Sequence, residues 1–206
     1  MAGDALSPWE AALGDGVDRL SPALRRYVRP LPSGATGLGE GVFDVVGSPR
    51  MVVRPLLVVL GALGIAFPVW AHDVPFTVRN RRIGSELAAE RVFRLAGGDR
   101  VMRDRVRAVR SDRGRVVAVD RLGPDGLIEF GFAASEHDGE LRLRSVGAAV
   151  RVGGRRVRIP RALAPRARLR ERTVGERQRV EFEVDLPVLG RIYEYAGDFD
   201  YRIEQS

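Results

Sequence analysis

Cysteine and lysine are both missing from this chain of 206 residues, and histidine occurs only as His72 and His137. Without cysteine there can be no thiolate nucleophile, iron–sulfur cluster, thiolate zinc site or disulfide framework, and the redox compartment is left open. Without lysine there is neither a Schiff-base amine nor a phosphate-loop lysine, so all 34 basic residues are arginine. No Gly-x-Gly-x-x-Gly follows a strand pattern, and no helix-turn-helix, zinc-finger spacing or aromatic RNA-binding motif is present. The carboxylates show no cluster with metal-ligand spacing, so no cofactor or metal is expected. What is present, 45% hydrophobic and 30% charged residues, fits one globular domain over residues 1–206. A chain of this length buries roughly 70% of its unfolded surface, enough for a core without staples.

The net charge of +7 is unevenly placed. Residues 142–179 hold 13 arginines against Glu171 and Glu176, while the flanking stretches 116–141 and 180–206 each carry a net of −5. Neighbouring segments would therefore neutralise one another across a folded sheet. An arginine-rich run can serve nucleic acid or an anionic lipid surface. Here the arginines alternate with apolar residues, as on a solvated strand face, so nucleic acid is not the expected partner.

The first ten residues lack a basic stretch and an apolar stretch, and a cytoplasmic location is the default expectation. Ser7-Pro8-Trp9-Glu10 reads as a capping box opening a helix that Gly14 ends, and Ser21-Pro22 opens a second helix through Tyr27. These fall in a helical segment placed at residues 1–40, with a Pro/Gly/Ser-rich loop from Pro30 to Gly41. A short strand follows at Gly41–Gly47. Pro55 to Ala71 then runs 17 residues without a charge. Its helical part, 13 residues ending before Pro68, reaches only about 20 Å, short of the ~30 Å hydrocarbon core. It reads as a buried helix covering a sheet, with a helix seated at a membrane interface as the alternative. Ser48-Pro49 supplies an N-cap, and Pro55 must kink or restart the helix.

From Val74 the period changes to two. Strands are expected at 74–83, 86–95, 101–110, 115–122, 127–135, 141–152, 155–159, 166–174, 179–186 and 191–203, separated by glycine-rich hairpin turns such as Asp112-Arg113-Gly114 and His137-Asp138-Gly139. The expected fold is α+β and mostly β: a long curved antiparallel meander, or a partly open barrel, wrapped around the apolar helix.

Several blocks in order carry a resemblance: Leu20-Ser21-Pro22-Ala23-Leu24-Arg25-Arg26, the apolar helix, Phe93-Arg94-Leu95-Ala96-Gly97-Gly98, Leu122-Gly123-Pro124, Ile159-Pro160-Arg161-Ala162-Leu163-Ala164-Pro165, Glu171, Leu186-Pro187-Val188-Leu189-Gly190 and Tyr195-Ala196-Gly197. By these the chain resembles an uncharacterised bacterial family catalogued as domain of unknown function 4166, often fused behind a nucleotide-binding, saccharopine-dehydrogenase-like reductase domain. Val92-Phe93 stand where the resemblance leads one to expect a tryptophan. It implies a reductase-like protein partner but no activity.

Two candidate sites follow from the residues. By strand parity Glu171 shares a face with Ala167, Leu169 and Thr173, and a carboxylate there needs a partner, for which Arg94 is the candidate. Phe130, Phe132, Phe182, Tyr193 and Tyr195 either line a ligand cavity or are plain core. His72 beside Asp73 marks a helix end rather than a general base, and His137 sits in a turn. No catalytic residue is assigned, and whether the chain is an enzyme stays open. The favoured function is a non-catalytic module binding an apolar small molecule or lipid, with a basic outer face able to touch anionic membrane. The alternative is an enzyme or accessory domain working with a separate reductase.

Overall fold

The structure is a computed structural model that describes residues 6–111 and 114–205. The reading of the first ten residues therefore lies largely outside the described residues, as do Asp112 and Arg113 of one expected turn. Helix α1 (Pro8–Leu13) is followed by a 3-10 turn (Gly14–Arg19), α2 (Pro22–Val28) and strand β1 (Ala35–Gly47). A 3-10 turn (Met51–Val53) leads into α3 (Arg54–Ala62). Then come β2 (Trp70–Ile83), β3 (Glu86–Leu95), β4 (Gly98–Arg110), β5 (Val116–Leu122), β6 (Ile128–His137), β7 (Glu140–Val152), β8 (Arg155–Arg158), β9 (Arg166–Val174), β10 (Arg177–Leu186) and β11 (Gly190–Gln205).

Strand order is β6-β5-β4-β3-β2-β1-β11-β10-β9-β7, and β7 pairs again with β6, so ten antiparallel strands close on themselves. Closure removes every open edge from this ring. One edge of β7 is shared: residues 141–144 pair with β9, and 149–152 pair with the short β8. Alternation does the rest. Val74, Phe76 and Val78 of β2 face the lumen with Val180 and Val184 of β10 and Tyr195, Phe199 and Tyr201 of β11. The expected mostly-β, barrel-like fold is what the chain adopts, at 60% strand.

The outer face carries the arginines, and acids meet them there. Arg170 binds Glu140 at 2.6 Å, Arg172 binds Glu181 at 2.9 Å, and Arg179 reaches Asp44 at 2.6 Å and Asp198 at 3.1 Å. The basic and acidic stretches do neutralise one another across adjacent strands.

The two ends of the barrel are covered differently. One end is plugged by α1 and α2: Ser7 Oγ accepts from the Glu10 amide at 3.0 Å, Ser21 Oγ lies 2.7 Å from Thr173 Oγ1, and the Ser21 amide donates to Gly139 O at 3.0 Å. The Glu10 half of the capping box does not form, since Glu10 Oε2 is sealed without a partner. At the other end, the link between β1 and β2 carries α3. Pro55 restarts the helix after the 3-10 turn, and Ser48 Oγ accepts from the Arg50 amide at 3.2 Å.

Two expectations are corrected. The sheet does not wrap α3; it closes around its own side chains, and α3 lies across the mouth with Leu57 buried but Val58 and Val59 53% and 59% exposed. Its nine residues offer one narrow inward stripe, and the barrel already supplies the rest of its own core. Among the described residues no helix is long and apolar enough to cross a membrane. The segment placed as helical, 1–40, ends its helices at Val28, and most of the expected loop is strand β1 from Ala35 onward. Gly37 and Gly39, which fall within the expected loop, are strand residues that face rings. A Cβ on Gly37 would sit 1.8 Å from Tyr201 Oη, and one on Gly39 would sit 3.1 Å from the Phe199 ring.

Candidate functional site

A cavity of about 320 Å³ runs inside the barrel from Trp9 and Tyr27 at the plugged end to Leu56, Leu57 and Leu60 of α3 at the other. Phe130, Phe132, Phe182, Tyr193 and Tyr195 all line it. Phe130 and Phe132 stack at 5.9 Å between centroids, and Phe182 stacks on Tyr195 at 4.9 Å. Burial pushes the hydroxyls of Tyr193 and Tyr195 well above their usual range, so both stay protonated.

Glu171 lines the same cavity with 4% of its surface exposed, on the face shared with Ala167 that parity predicts. Its expected partner does not meet it. Arg94 is exposed on the outer face, between inward Phe93 and Leu95, because a shift of one residue along a strand turns a side chain to the opposite face. The arginine that does enter the lumen is Arg91, which shares parity with Ala89 and Phe93. β3 and β9 stand on opposite sides of the ten-strand ring, so Arg91 confronts Glu171 across the lumen.

Arg91 is already engaged. Its Nη1 is paired with Asp104 Oδ1 of β4, and Asp104 is 2% exposed. Asp120 of β5, diagonal to Asp104 through the Val106–Asp120 register, completes a group of three carboxylates around one guanidinium. Burial alone would lower the Arg91 pKa, but Asp104 outweighs it and holds the guanidinium charged. Burial raises Asp104 against the opposing charge of Arg91. It also drives Asp120 well up, helped by the negative Asp104. Glu171 is raised to about 7 by burial, which Arg91 only partly offsets. Glu171 Oε2 and Asp120 Oδ1 have no hydrogen-bond partner and no access to solvent. The Tyr27 hydroxyl, carried by α2, is raised by burial and by Glu171, which places it against the same group.

Parity could have found the lumenal charges that sequence reasoning missed. Arg91 is flanked two residues away by Ala89 and Phe93, Asp104 by Met102 and Val106, and Asp120 by Ala118 and Leu122. Tyr27 carries no such signal, because its place depends on how α2 docks into the barrel end.

The histidines take no part. His72 Nδ1 lies 3.0 Å from Asp44 O at the surface, and His137 Nδ1 lies 2.7 Å from Asp138 in its turn. Among the described residues no group of three potential ligands could hold a metal.

Fold and interior together define a closed antiparallel β-barrel with an apolar cavity and a charged group within it. The chain belongs to the family described as domain of unknown function (DUF4166), which matches residues 20–199. No curated protein and no solved structure matches it.

Proposed function

We propose that the barrel is a non-catalytic module that holds an apolar small molecule or lipid in its lumen. The observation that carries this reading is the cavity itself: about 320 Å³, walled mainly by leucine, isoleucine, valine and phenylalanine, in a position where close-packed cores have no such space. Its volume equals roughly ten waters, yet its apolar upper walls offer water few partners. An apolar ligand is the occupant such walls favour.

The mouth suits delivery from an anionic membrane. Met51, Val52, Val58 and Val59 are exposed around α3, and Leu163 and Val188 are exposed on neighbouring loops. Leu163 lines the cavity with Leu56, and Arg50 Nη1 donates to Leu189 O at 2.6 Å, which joins these loops to the α3 segment. Residues 45–72 and 141–170 contain no Asp or Glu, while Arg50, Arg54 and Arg161 stand among the exposed apolar side chains. An apolar rim ringed by arginine is the pattern of a surface that seats itself in anionic headgroups.

The test is organic extraction and mass spectrometry of protein purified without detergent. A stoichiometric apolar molecule is the expected result. Protein that yields none, and that also fails to take up an added fluorescent apolar probe, would overturn the reading.

One observation favours a second reading, an enzyme or accessory domain working with a separate nucleotide-binding reductase. An unpartnered carboxyl with a pKa of about 7 facing the cavity is suited to proton transfer at neutral pH. Glu171→Gln separates the two: an enzyme keeps its fold and loses turnover, whereas a binding module has no turnover to lose and still takes up an uncharged apolar probe.

A further inference from the structure

The cavity has a direction. At its mouth the walls are Leu57, Leu60, Leu186 and Ile192, without a charged group among them. Towards the plugged end lie the Tyr27 hydroxyl and the Glu171 carboxyl, with the Arg91 guanidinium facing Glu171 and the carboxyls of Asp104 and Asp120 beside Arg91. Glu171 belongs to the plugged end because its neighbour Thr173 is bonded to Ser21 of the plug, and because it pairs with Leu141 next to the Asp138-Gly139 turn. A ligand entering past α3 thus meets oil first and charge last.

The hydrogen-bonding inventory of this charged group is one-sided. Among the described residues Arg91 is the only cation that lines the cavity, and Asp104 occupies it. Two carboxyl oxygens, Glu171 Oε2 and Asp120 Oδ1, are left without partners in a sealed interior. Unmet acceptors of this kind are costly and rare in native cores. A carboxylate head would find the one cation already engaged and would be repelled by Asp104 and by the ionised fraction of Glu171. An ammonium head instead brings three donors and a positive charge to the unmet oxygen of Glu171.

We propose that the lumen takes an amphiphile head-first, with a primary ammonium group held by Glu171 and the alkyl chain running to the mouth beneath α3. This rests on the cavity reading above and adds the chemistry of the head. Binding draws the protonated fraction of Glu171 to the carboxylate: the O–H bond breaks, the proton passes to the solvent buffer, and the carboxylate accepts from the N–H of the ligand. The groups facing Glu171 while this happens are Arg91 from β3, Tyr195 and Tyr201 from β11 and Tyr27 from α2, with Asp104 and Asp120 next to Arg91.

The experiment is isothermal titration of delipidated protein with decylamine, decanol and decanoic acid, three probes alike in chain and different in head. Decylamine is expected to bind at least about tenfold more tightly than decanoic acid, with decanol between them. Its binding enthalpy at neutral pH should vary with buffer as a proton is released. In Glu171→Gln the amine-to-acid ratio should fall to within about threefold, the proton release should disappear, and decanol should still bind. Decanoic acid binding as tightly as decylamine, or an amine preference and proton release untouched in Glu171→Gln, overturns the head-group assignment and leaves the cavity standing. Failure of all three probes overturns both. Glu171→Met provides a second reduced-preference variant should Glu171→Gln not fold.

Discussion

A single carboxyl sets an unusual pH response. Glu171 is raised from 4.5 to about 7 in the folded barrel by burial. The folded state therefore holds its proton more tightly than the unfolded chain does. The contribution is fully present below pH 4.5, is lost as pH rises towards 7, and changes no further above that. Its size is on the order of 3 kcal/mol. Denaturant unfolding across this range should show wild-type stability falling with rising pH. Glu171→Gln should flatten that fall and be the more stable protein at pH 8. Asp104 and Asp120, raised in the same direction, keep some slope in the variant. An unaltered slope would mean that Glu171 is ionised inside the barrel. Glu140 runs the other way. Hydrogen bonding to Arg170 holds it at about 2, so its contribution is present above 4.5 and is lost only as pH falls below that value. The inward side of Glu171 was readable from parity alone, whereas its partner was not. Arg91 and Arg94 lie on one strand, and the parity of Ala89 and Phe93 turns Arg91 inward, but only the closed ring says that β3 stands opposite β9.

Strands were more legible than helices. All ten strands expected from residue 74 onward form, and two of them, Glu86–Leu95 and Arg166–Val174, have the expected bounds. Alternation with glycine turns is a local signal, and it sets the order wherever consecutive strands pair as hairpins; it does not show that β7 passes over β8 to pair with β9. β1 escaped in its first half because glycine is a poor strand former taken alone. Its glycines are there because backbone and rings from β11 press against them. A Cβ on Gly41 would lie 2.1 Å from Asp198 O and 2.7 Å from Phe199 Cα, and main chain cannot step aside cheaply. Gly41→Ala should therefore cost about 3 kcal/mol or prevent folding. Gly97→Ala, in a turn with nothing within 4 Å, should change stability by less than about 0.5 kcal/mol. Equal losses in urea unfolding of the two variants would remove the close-approach explanation. For α3 the signal misled in a specific way. An uncharged run says that water is avoided on some side; it does not say whether the shelter is a core, a ligand or a membrane.

At the scale of the whole molecule, the two barrel ends have different chemistry. One is plugged by α1 and α2, and the other is rimmed by exposed apolar side chains with arginines between them. On the proposed reading, the protein should co-sediment with vesicles containing phosphatidylglycerol and much less with phosphatidylcholine vesicles, and salt should weaken the association. A double Val58→Ser, Val59→Ser variant should lose most of this binding while keeping its unfolding midpoint, because both side chains are more than half exposed. Equal binding to both vesicle types, or binding indifferent to these two residues, would rule out the rim as the contact. The chain's own residues determined the class of fold, the hairpin neighbours of most strands and the inward side of each, because a period of two and its turns are properties of neighbours in sequence. Only the tertiary structure decided that the sheet closes, that α3 lies across a mouth rather than in the core, and that Arg91, Asp104, Asp120 and Glu171 share one cavity. Those outcomes depend on strand register around a ring, where residues 80 positions apart come to face each other across the lumen.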